Sequence, residues 1–323
     1  MAGNDYGLNG PSAPPFPACP PCLPLSCRFP APVTPPPLLS FSPALEQQLR
    51  SWLAEDLGRG DLTAPALTGA RGRAHWIAKA DGVFCGGVLA APLFRLLDGE
   101  LVVRDRVAEG TPVRAGQRLL ELEGAAPALV AGERTALNLA MRLSGIATAT
   151  ARLVAELAGS GVALADTRKT TPGLRLLEKY AVRCGGGLNH RFGLDDAAML
   201  KENHLAWSGG VGPAIAAVRA AAPWPAQVIV EAETAAEAEA AVRAGADAVL
   251  LDEFAPPDLQ ALVPQLRELA AAQGRAVVLE ASGVQPELLR AYAATGIDLI
   301  STSAPVTRSC WLDLSMRYLP SGG

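Results

Sequence analysis

The chain lacks any run of 18 uninterrupted apolar residues, so no segment is expected to span a membrane. A secretory leader is not expected either, because prolines interrupt every early apolar run and no basic segment precedes one. Basic charge is not in excess: the formal net charge is -4, which argues against nucleic acid or an anionic membrane as a partner. The cytoplasm is the expected location. A disulfide framework is missing as well. Six cysteines, at 19, 22, 27, 85, 184 and 310, are scattered through 323 residues. The Cys19-Pro-Pro-Cys22 pair would need two further ligands for zinc, and only Cys27 is near. Its surroundings decide against it. Residues 1–40 hold twelve prolines and only two charged side chains, Asp5 and Arg28, and read as a disordered extension. Folded structure is expected from about Phe41.

Nucleotide-binding signatures are absent too. There is no Walker A lysine pattern and no strand-linked G-x-G-x-x-G, and Gly185-Gly-Gly187 alone is a weak signal. Val107–Gly124 reads as two short strands around a turn at Ala115-Gly116, similar to a swinging-arm carrier module. No lysine stands at its tip to be modified, which excludes a lipoyl or biotinyl role.

What is present has a clear rhythm. A helix is predicted over 44–56, with Leu45, Leu49, Trp52 and Leu53 on one face. Strands are predicted over 73–80, 83–88, 101–105 and 118–123, between Gly-rich turns. A long apolar helical stretch follows over 128–158, broken near Gly145, with Glu133, Arg134 and Asn138 among its few polar residues. From residue 160, short apolar runs recur and end in turn at Asp166, Lys201, Glu231, Asp252, Glu280 and Ser301. The spacings suit one strand–loop–helix–loop unit each. Thr234-Ala-Ala-Glu237 is a capping box, Gly245 and Gly296 stand where helices end, and Pro286 suits a first helical turn. This alternation argues for a parallel sheet, best as an incomplete β/α barrel with chemistry at the strands' C-terminal ends. An open doubly wound sheet is the alternative.

Charge concentrates at those ends. Between Asp166 and His204 lie Arg168, Lys169, Arg175, Lys179, Arg183, Arg191 and Lys201, with His190 and His204, two of the chain's three histidines. Such a cluster suits small polyanions, since Arg reads carboxylate and phosphate bidentately and Lys adds a point charge. Residues 174–183 look helical, so Arg175, Lys179 and Glu178 could equally be a solvated helix face. Arg168 and Lys201 lie too close to apolar strands for that reading. Glu231 and Asp252 end two neighbouring strands. Facing a cationic pocket they can hold Mg²⁺, grip sugar hydroxyls or stabilise a developing cation; the plainer alternative is a salt bridge to Lys201. Val249-Leu-Leu-Asp-Glu253 is similar to the acidic strand end of the common phosphoribosyltransferase fold, but the Thr-Gly phosphate loop that should follow is missing.

At these residues the chain closely resembles the quinolinate phosphoribosyltransferase family, from about Trp52 to Tyr318. The motifs are Glu55-Asp-Leu-Gly-Arg-Gly-Asp-Leu-Thr63, Glu133-Arg-Thr-Ala-Leu-Asn138 with Ser144-Gly-Ile-Ala147, and Asp166-Thr-Arg-Lys-Thr-Thr-Pro-Gly173. Asn189-His-Arg191, Lys201-Glu-Asn-His204, Leu251-Asp252 and Glu280-Ala-Ser-Gly283 complete the set. The resemblance implies an N-terminal α/β sandwich domain (41–150) and an incomplete, roughly seven-stranded β/α barrel (151–303). It further implies a helix over 304–320 packing back on the sandwich, and a homodimer or higher oligomer in which Arg134 reaches the neighbouring site. Thr167, Arg168, Lys169, His190, Arg191, Lys201, Ser282, Gly283 and Ser303 would bind substrate. Lys169, Lys201, Glu231 and Asp252 would carry catalysis, with Glu231 and Asp252 facing the ribose and Mg²⁺. The implied reaction joins quinolinate to phosphoribosyl pyrophosphate and releases pyrophosphate and CO₂, in NAD biosynthesis, with no organic cofactor. Five positions depart from the commonest family pattern: Glu202, Ile229, Glu253, Val284 and Ser303, the last two replacing glycines of phosphate-binding loops.

Overall fold

The computed structural model describes residues 38–319; most of the proline-rich stretch, with the Cys19–Cys22 pair, lies outside them. Helix α1, Pro43–Leu57, starts where the side chain of Ser42 accepts the Leu45 N–H at 3.2 Å. Leu45, Leu49 and Leu53, four residues apart, form its buried stripe. Then come β1 (Arg71–Ala78), β2 (Gly82–Val83), α2 (Ala90–Arg95), β3 (Val102–Arg104), β4 (Pro112–Val113), β5 (Arg118–Ala125) and α3 (Ala126–Glu156). The second half runs β6 (Ala163–Ala165), α4 (Arg175–Cys184), β7 (Ala198–Leu200), α5 (Glu202–Trp207), α6 (Val211–Ala221) and β8 (Val228–Ala232). It continues through α7 (Ala235–Arg243), β9 (Ala248–Asp252), α8 (Pro256–Ala272), β10 (Val278–Ser282), α9 (Leu289–Ala293), β11 (Leu299–Ser301), α10 (Ala304–Thr307) and β12 (Leu314–Leu319).

The N-terminal sheet is antiparallel, in the order β12-β1-β5-β3, and α1, α2 and α3 cover it. Four expectations need correction here. The strand over 83–88 stops at Val83, because Gly86, at φ 100, turns the chain into a short 3-10 turn. The strands either side of Ala115-Gly116 do not pair with each other: β4 pairs with β2, and β5 lies between β1 and β3. Helix α3 runs unbroken through Gly145 for 31 residues. Gly145 is instead where the Cys310 backbone crosses the helix, and a Cβ there would collide with the Cys310 carbonyl oxygen. The helix over 304–320 is only α10; the chain then returns as β12, hydrogen-bonded along β1. Leu312, Leu314 and Met316 alternate into the core, a period-two pattern that a helix would scatter around its surface.

The second sheet is parallel, in the order β6-β11-β10-β9-β8-β7, with a further bridge from Ala165 of β6 to Leu188. The last strand therefore pairs with the first, and consecutive strands follow around to β7. That is barrel order, and it rules out the doubly wound alternative, whose strand order reverses midway. Six strands plus the Leu188 bridge make up the wall, interrupted between Leu188 and β7.

Alternation along the strands sorts their faces. Val228, Val230, Ala232, Val249, Leu251, Leu279, Ala281 and Ile300 pack into the core shared with the surrounding helices. Ile229, Ala248 and Leu250, with Met199, form a separate small cluster on the opposite, inner face. Two residues further along each strand, on that inner face, stand Lys201, Glu231 and Asp252. Glu280 and Ser282 follow the same register on β10. Helix α7 is positioned by its capping box: Thr234 accepts the Glu237 N–H at 3.3 Å and the Glu237 carboxylate accepts the Thr234 N–H at 3.1 Å.

Candidate active site

A cavity of about 580 Å³ opens at the C-terminal ends of the barrel strands. Thr167, Arg168, Lys169, His190, Arg191, Lys201, Glu231, Asp252, Ser282, Gly283 and Ser303 all line it. Met199 and Leu250 provide apolar floor, and Arg308 adds a cation that the sequence reading had not singled out.

The cationic cluster divides in two. Lys179 is fully buried, and its ammonium donates to Asp166 and, at 2.8 Å, to the His190 carbonyl. Asp166 also accepts from Asn189 Nδ2 at 2.7 Å and from the His190 N–H at 2.8 Å. Arg175 donates to Thr170 Oγ1 and to the Phe192 carbonyl, and Arg183 to the Gly187 carbonyl. These three cations hold the loops of the site in place; Arg175 and Lys179 form no solvated helix face. Glu178 is likewise fully buried. It accepts from Arg142 at 2.8 Å and from the Thr171 N–H at 2.8 Å, tying α3 and α4 to the 167–173 loop.

Arg168, Lys169 and Arg308 are different: no hydrogen bond or ion pair satisfies their side-chain charges among the described residues, and all three border the cavity. Arg191 donates to the Ala197 carbonyl at 2.9 Å. Burial and the nearby Arg168 lower its pKa, a cost that a bound anion would offset. Lys201 Nζ meets Glu231 Oε2 at 2.6 Å, so the salt bridge weighed above does form, at the cavity wall.

His190 is held from both sides. Its Nδ1 accepts the Arg191 N–H at 2.8 Å, which leaves the proton on Nε2, 3.3 Å from Glu280 Oε2. Glu280 is almost wholly buried, and the pairing partner was not recognised from sequence. His204 turns away: its Nδ1 accepts the Lys201 N–H at 3.1 Å at the start of α5.

On the acidic side, Ser282 Oγ donates to Asp252 Oδ1. Glu253 sits at φ 57 beside Gly283 at φ 73, and a Cβ on Gly283 would press to 3.0 Å from Glu253 Cγ. Val284 and Ser303, read above as replacing phosphate-loop glycines, avoid the left-handed region. The Val284 side chain joins the helix-side core, and Ser303 has φ -86. Both therefore fit their backbone without strain. Glu202 faces Glu233, and their mutual hydrogen bond raises the Glu233 carboxyl above its ordinary range.

Arg134 is not in the barrel cavity of its own chain. It lines a second cavity of about 490 Å³ with Trp52, Glu55, Asp56, Asn138, Arg142, Thr171 and Pro172. The 167–172 loop thus borders both: Thr167–Lys169 one, Thr171-Pro172 the other.

Comparison with known proteins follows the same two halves. The family model described as quinolinate phosphoribosyl transferase, N-terminal domain, matches residues 61–144, and its C-terminal counterpart matches 146–317. A probable carboxylating nicotinate-nucleotide pyrophosphorylase from Synechocystis is 43% identical over 293 residues, covering 90% of this chain and 97% of the relative. One from Bacillus subtilis is 40% identical, covering 84% and 92%. The crystal structure of NadC from Streptococcus pyogenes superposes with a TM-score of 0.79 at 36% identity, covering 87% of this chain and 99% of that one. On its sequence matches across both halves and its shared architecture, the chain belongs to the quinolinate phosphoribosyltransferase family.

Proposed function

We propose that the barrel cavity joins quinolinate to phosphoribosyl pyrophosphate and releases nicotinate mononucleotide, pyrophosphate and CO₂. The observation that carries this reading is a set of cations, Arg168, Lys169 and Arg308, left without a protein partner among the described residues and lining one cavity with Glu231 and Asp252. Both substrates are polyanions, and the bond that breaks leaves positive charge on a sugar. A site for this reaction needs charges of both signs.

In this reading Arg168, Lys169 and Arg191 take the two carboxylates of quinolinate and, with Lys201, the phosphates. Glu280, through His190, fixes one wall of the pocket. As the ribose–pyrophosphate bond breaks, Glu231 and Asp252 stabilise the oxocarbenium-like sugar. The pyridine nitrogen forms the new bond to the anomeric carbon and becomes cationic. The electron pair left when the adjacent carboxylate departs as CO₂ is then held next to that positive nitrogen. The ring carbon takes up a proton to give the product. No side chain need form a covalent intermediate.

Glu231 and Asp252 fit Mg²⁺, which favours oxygen ligands and keeps several waters or phosphate oxygens. Both carboxylates line the cavity, where they could hold the ion directly or through its waters. When bound, Mg²⁺ would neutralise the pyrophosphate. The place of Arg134 in a second cavity supports a homodimer in which it completes the partner's site. Among the described residues, no helix is long and apolar enough to cross a membrane.

The test is release of labelled CO₂ from carboxyl-labelled quinolinate with phosphoribosyl pyrophosphate and Mg²⁺. Release matched to mononucleotide formation is expected. Turnover of nicotinate with no release from quinolinate would instead assign the cavity to a related transferase for a monocarboxylate base.

A further inference from the structure

Away from the cavity, three side chains of metal-binding type meet in the interior. Cys85 follows β2, Glu109 lies in the turn before β4, and Cys184 is the last residue of α4. One sulfur or carboxylate oxygen from each lies within 4.8 Å of the other two, and all three residues are buried. Tyr180, one helical turn before Cys184, hydrogen-bonds to it. Nothing in the transferase chemistry uses this group.

The backbone is shaped to allow the meeting. Gly86 follows Cys85 at φ 100 and Gly110 follows Glu109 at φ 78, a region that L side chains resist. A Cβ on Gly110 would come within 2.9 Å of the Cys184 carbonyl oxygen, and one on Gly86 within 2.9 Å of Ala140 Cα. The N-terminal half can therefore close tightly on the end of α4. Glu109 is aimed by two amides: the Gly86 N–H donates to one carboxylate oxygen at 2.7 Å and the Val88 N–H to the other at 2.8 Å. Cys85 also hydrogen-bonds to this carboxylate, so a cation would take the place of its thiol proton.

Without a cation, a carboxylate buried against two thiols is costly. Both thiols are buried. That argues against a redox role, because the thiolate is the reactive form and a buried thiol is inert. A thiophilic d¹⁰ cation inverts the situation by displacing the thiol protons as it binds. Ligand atoms around tetrahedral zinc lie about 3.5–3.8 Å apart, so side-chain shifts of about 1 Å would close the group.

We propose that Cys85, Glu109 and Cys184 form a structural site for one thiophilic d¹⁰ cation, Zn²⁺ being the natural probe, with the Tyr180 hydroxyl beside the fourth position. The site joins two segments of the N-terminal half to the end of α4. Cys184 leads directly into Gly185–Gly187 and then Asn189–Arg191, so the clamp would brace the loop that carries His190 and Arg191.

The experiment uses the full-length chain with Cys19, Cys22, Cys27 and Cys310 changed to serine, which removes the other sulfur ligands. It is refolded with Zn²⁺ or Co²⁺ and freed of loose metal. About one metal per chain is expected, with a sulfur-to-cobalt charge-transfer band and the intense visible bands of tetrahedral Co²⁺. Glu109→Gln should lose most of the metal, and Cys85→Ser with Cys184→Ser all of it. Chelation should lower the thermal midpoint of the background protein and leave that of the double variant unmoved. Should the double variant fail to fold, the cobalt spectrum of the background protein decides alone. Folded protein with no bound metal and no charge-transfer band would overturn the proposal, as would a mass two hydrogens lower showing a Cys85–Cys184 disulfide. These readouts need no turnover, so their outcome is independent of the activity proposed for the barrel.

Discussion

Lys179 and Lys201 lie 22 residues apart in one basic stretch, yet they do opposite work. Lys179 points inward from α4 and is consumed by Asp166 and a backbone carbonyl. Lys201 directly follows β7, stays half exposed, and meets Glu231 at the wall of an open cavity. The same contrast separates Arg175 and Arg183 from Arg168 and Lys169. A count of positive charge therefore overstates what a ligand can meet. What matters is where the cation is held: Lys179 and Asp166 are paired in the interior, whereas Lys201 and Glu231 are paired on the cavity wall, within reach of a ligand. Inward-facing cations buy loop geometry, and outward-facing ones are left for substrate.

The contrast can be broken by substitution. Lys179→Ala should cost about 3–5 kcal/mol of stability in denaturant titration, because Asp166 would stay buried without its partner. Lys201→Ala should cost within about 1 kcal/mol, as expected of a partly exposed pair. Equal losses would erase the distinction. Arg168→Ala should reduce kcat/KM for quinolinate by about 2–5 kcal/mol of transition-state energy with an unchanged melting midpoint. Wild-type kinetics in that variant would remove Arg168 from the site.

The two cavities offer a further comparison. If Arg134 serves the neighbouring barrel, Arg134→Ala and Lys201→Ala homodimers should each be nearly inactive. Mixing and re-equilibrating them should restore roughly a quarter of wild-type activity, since each mixed dimer regains one intact site. No recovery, with mixed dimers demonstrated, would return Arg134 to its own chain. The smallest effect concerns the cap of α7, just past the end of β8. Thr234→Ala should cost about 1 kcal/mol of stability through lost capping, with kinetics unaltered.

Much of this was legible in the sequence because it rests on local patterns. Strand-end positions follow from apolar runs, so Lys201, Glu231 and Asp252 could be set on one rim before any coordinates. The order β6-β11 that closes the barrel is a long-range pairing, and only the unit rhythm hinted at it. Partners of buried charge were hidden for the same reason. Glu280 and His190 are 90 residues apart, and Arg142 and Glu178 are 36 apart, beyond any helical or strand period. Gly145 misled because a glycine in a helix reads as a break, whereas its role is to admit a crossing chain. By contrast, β12 did carry a signal. Leu312, Leu314 and Met316 alternate, and that period outweighs the expectation of a terminal helix.

The most direct test is labelled CO₂ release from quinolinate by Lys201→Ala beside the wild-type chain, at matched folded concentration. The wild type should release CO₂ in step with mononucleotide. The variant, folded and of near wild-type stability, should fall roughly a hundredfold or more in kcat/KM. Undiminished release by the folded variant would contradict the assignment of the cavity-lining cations to catalysis.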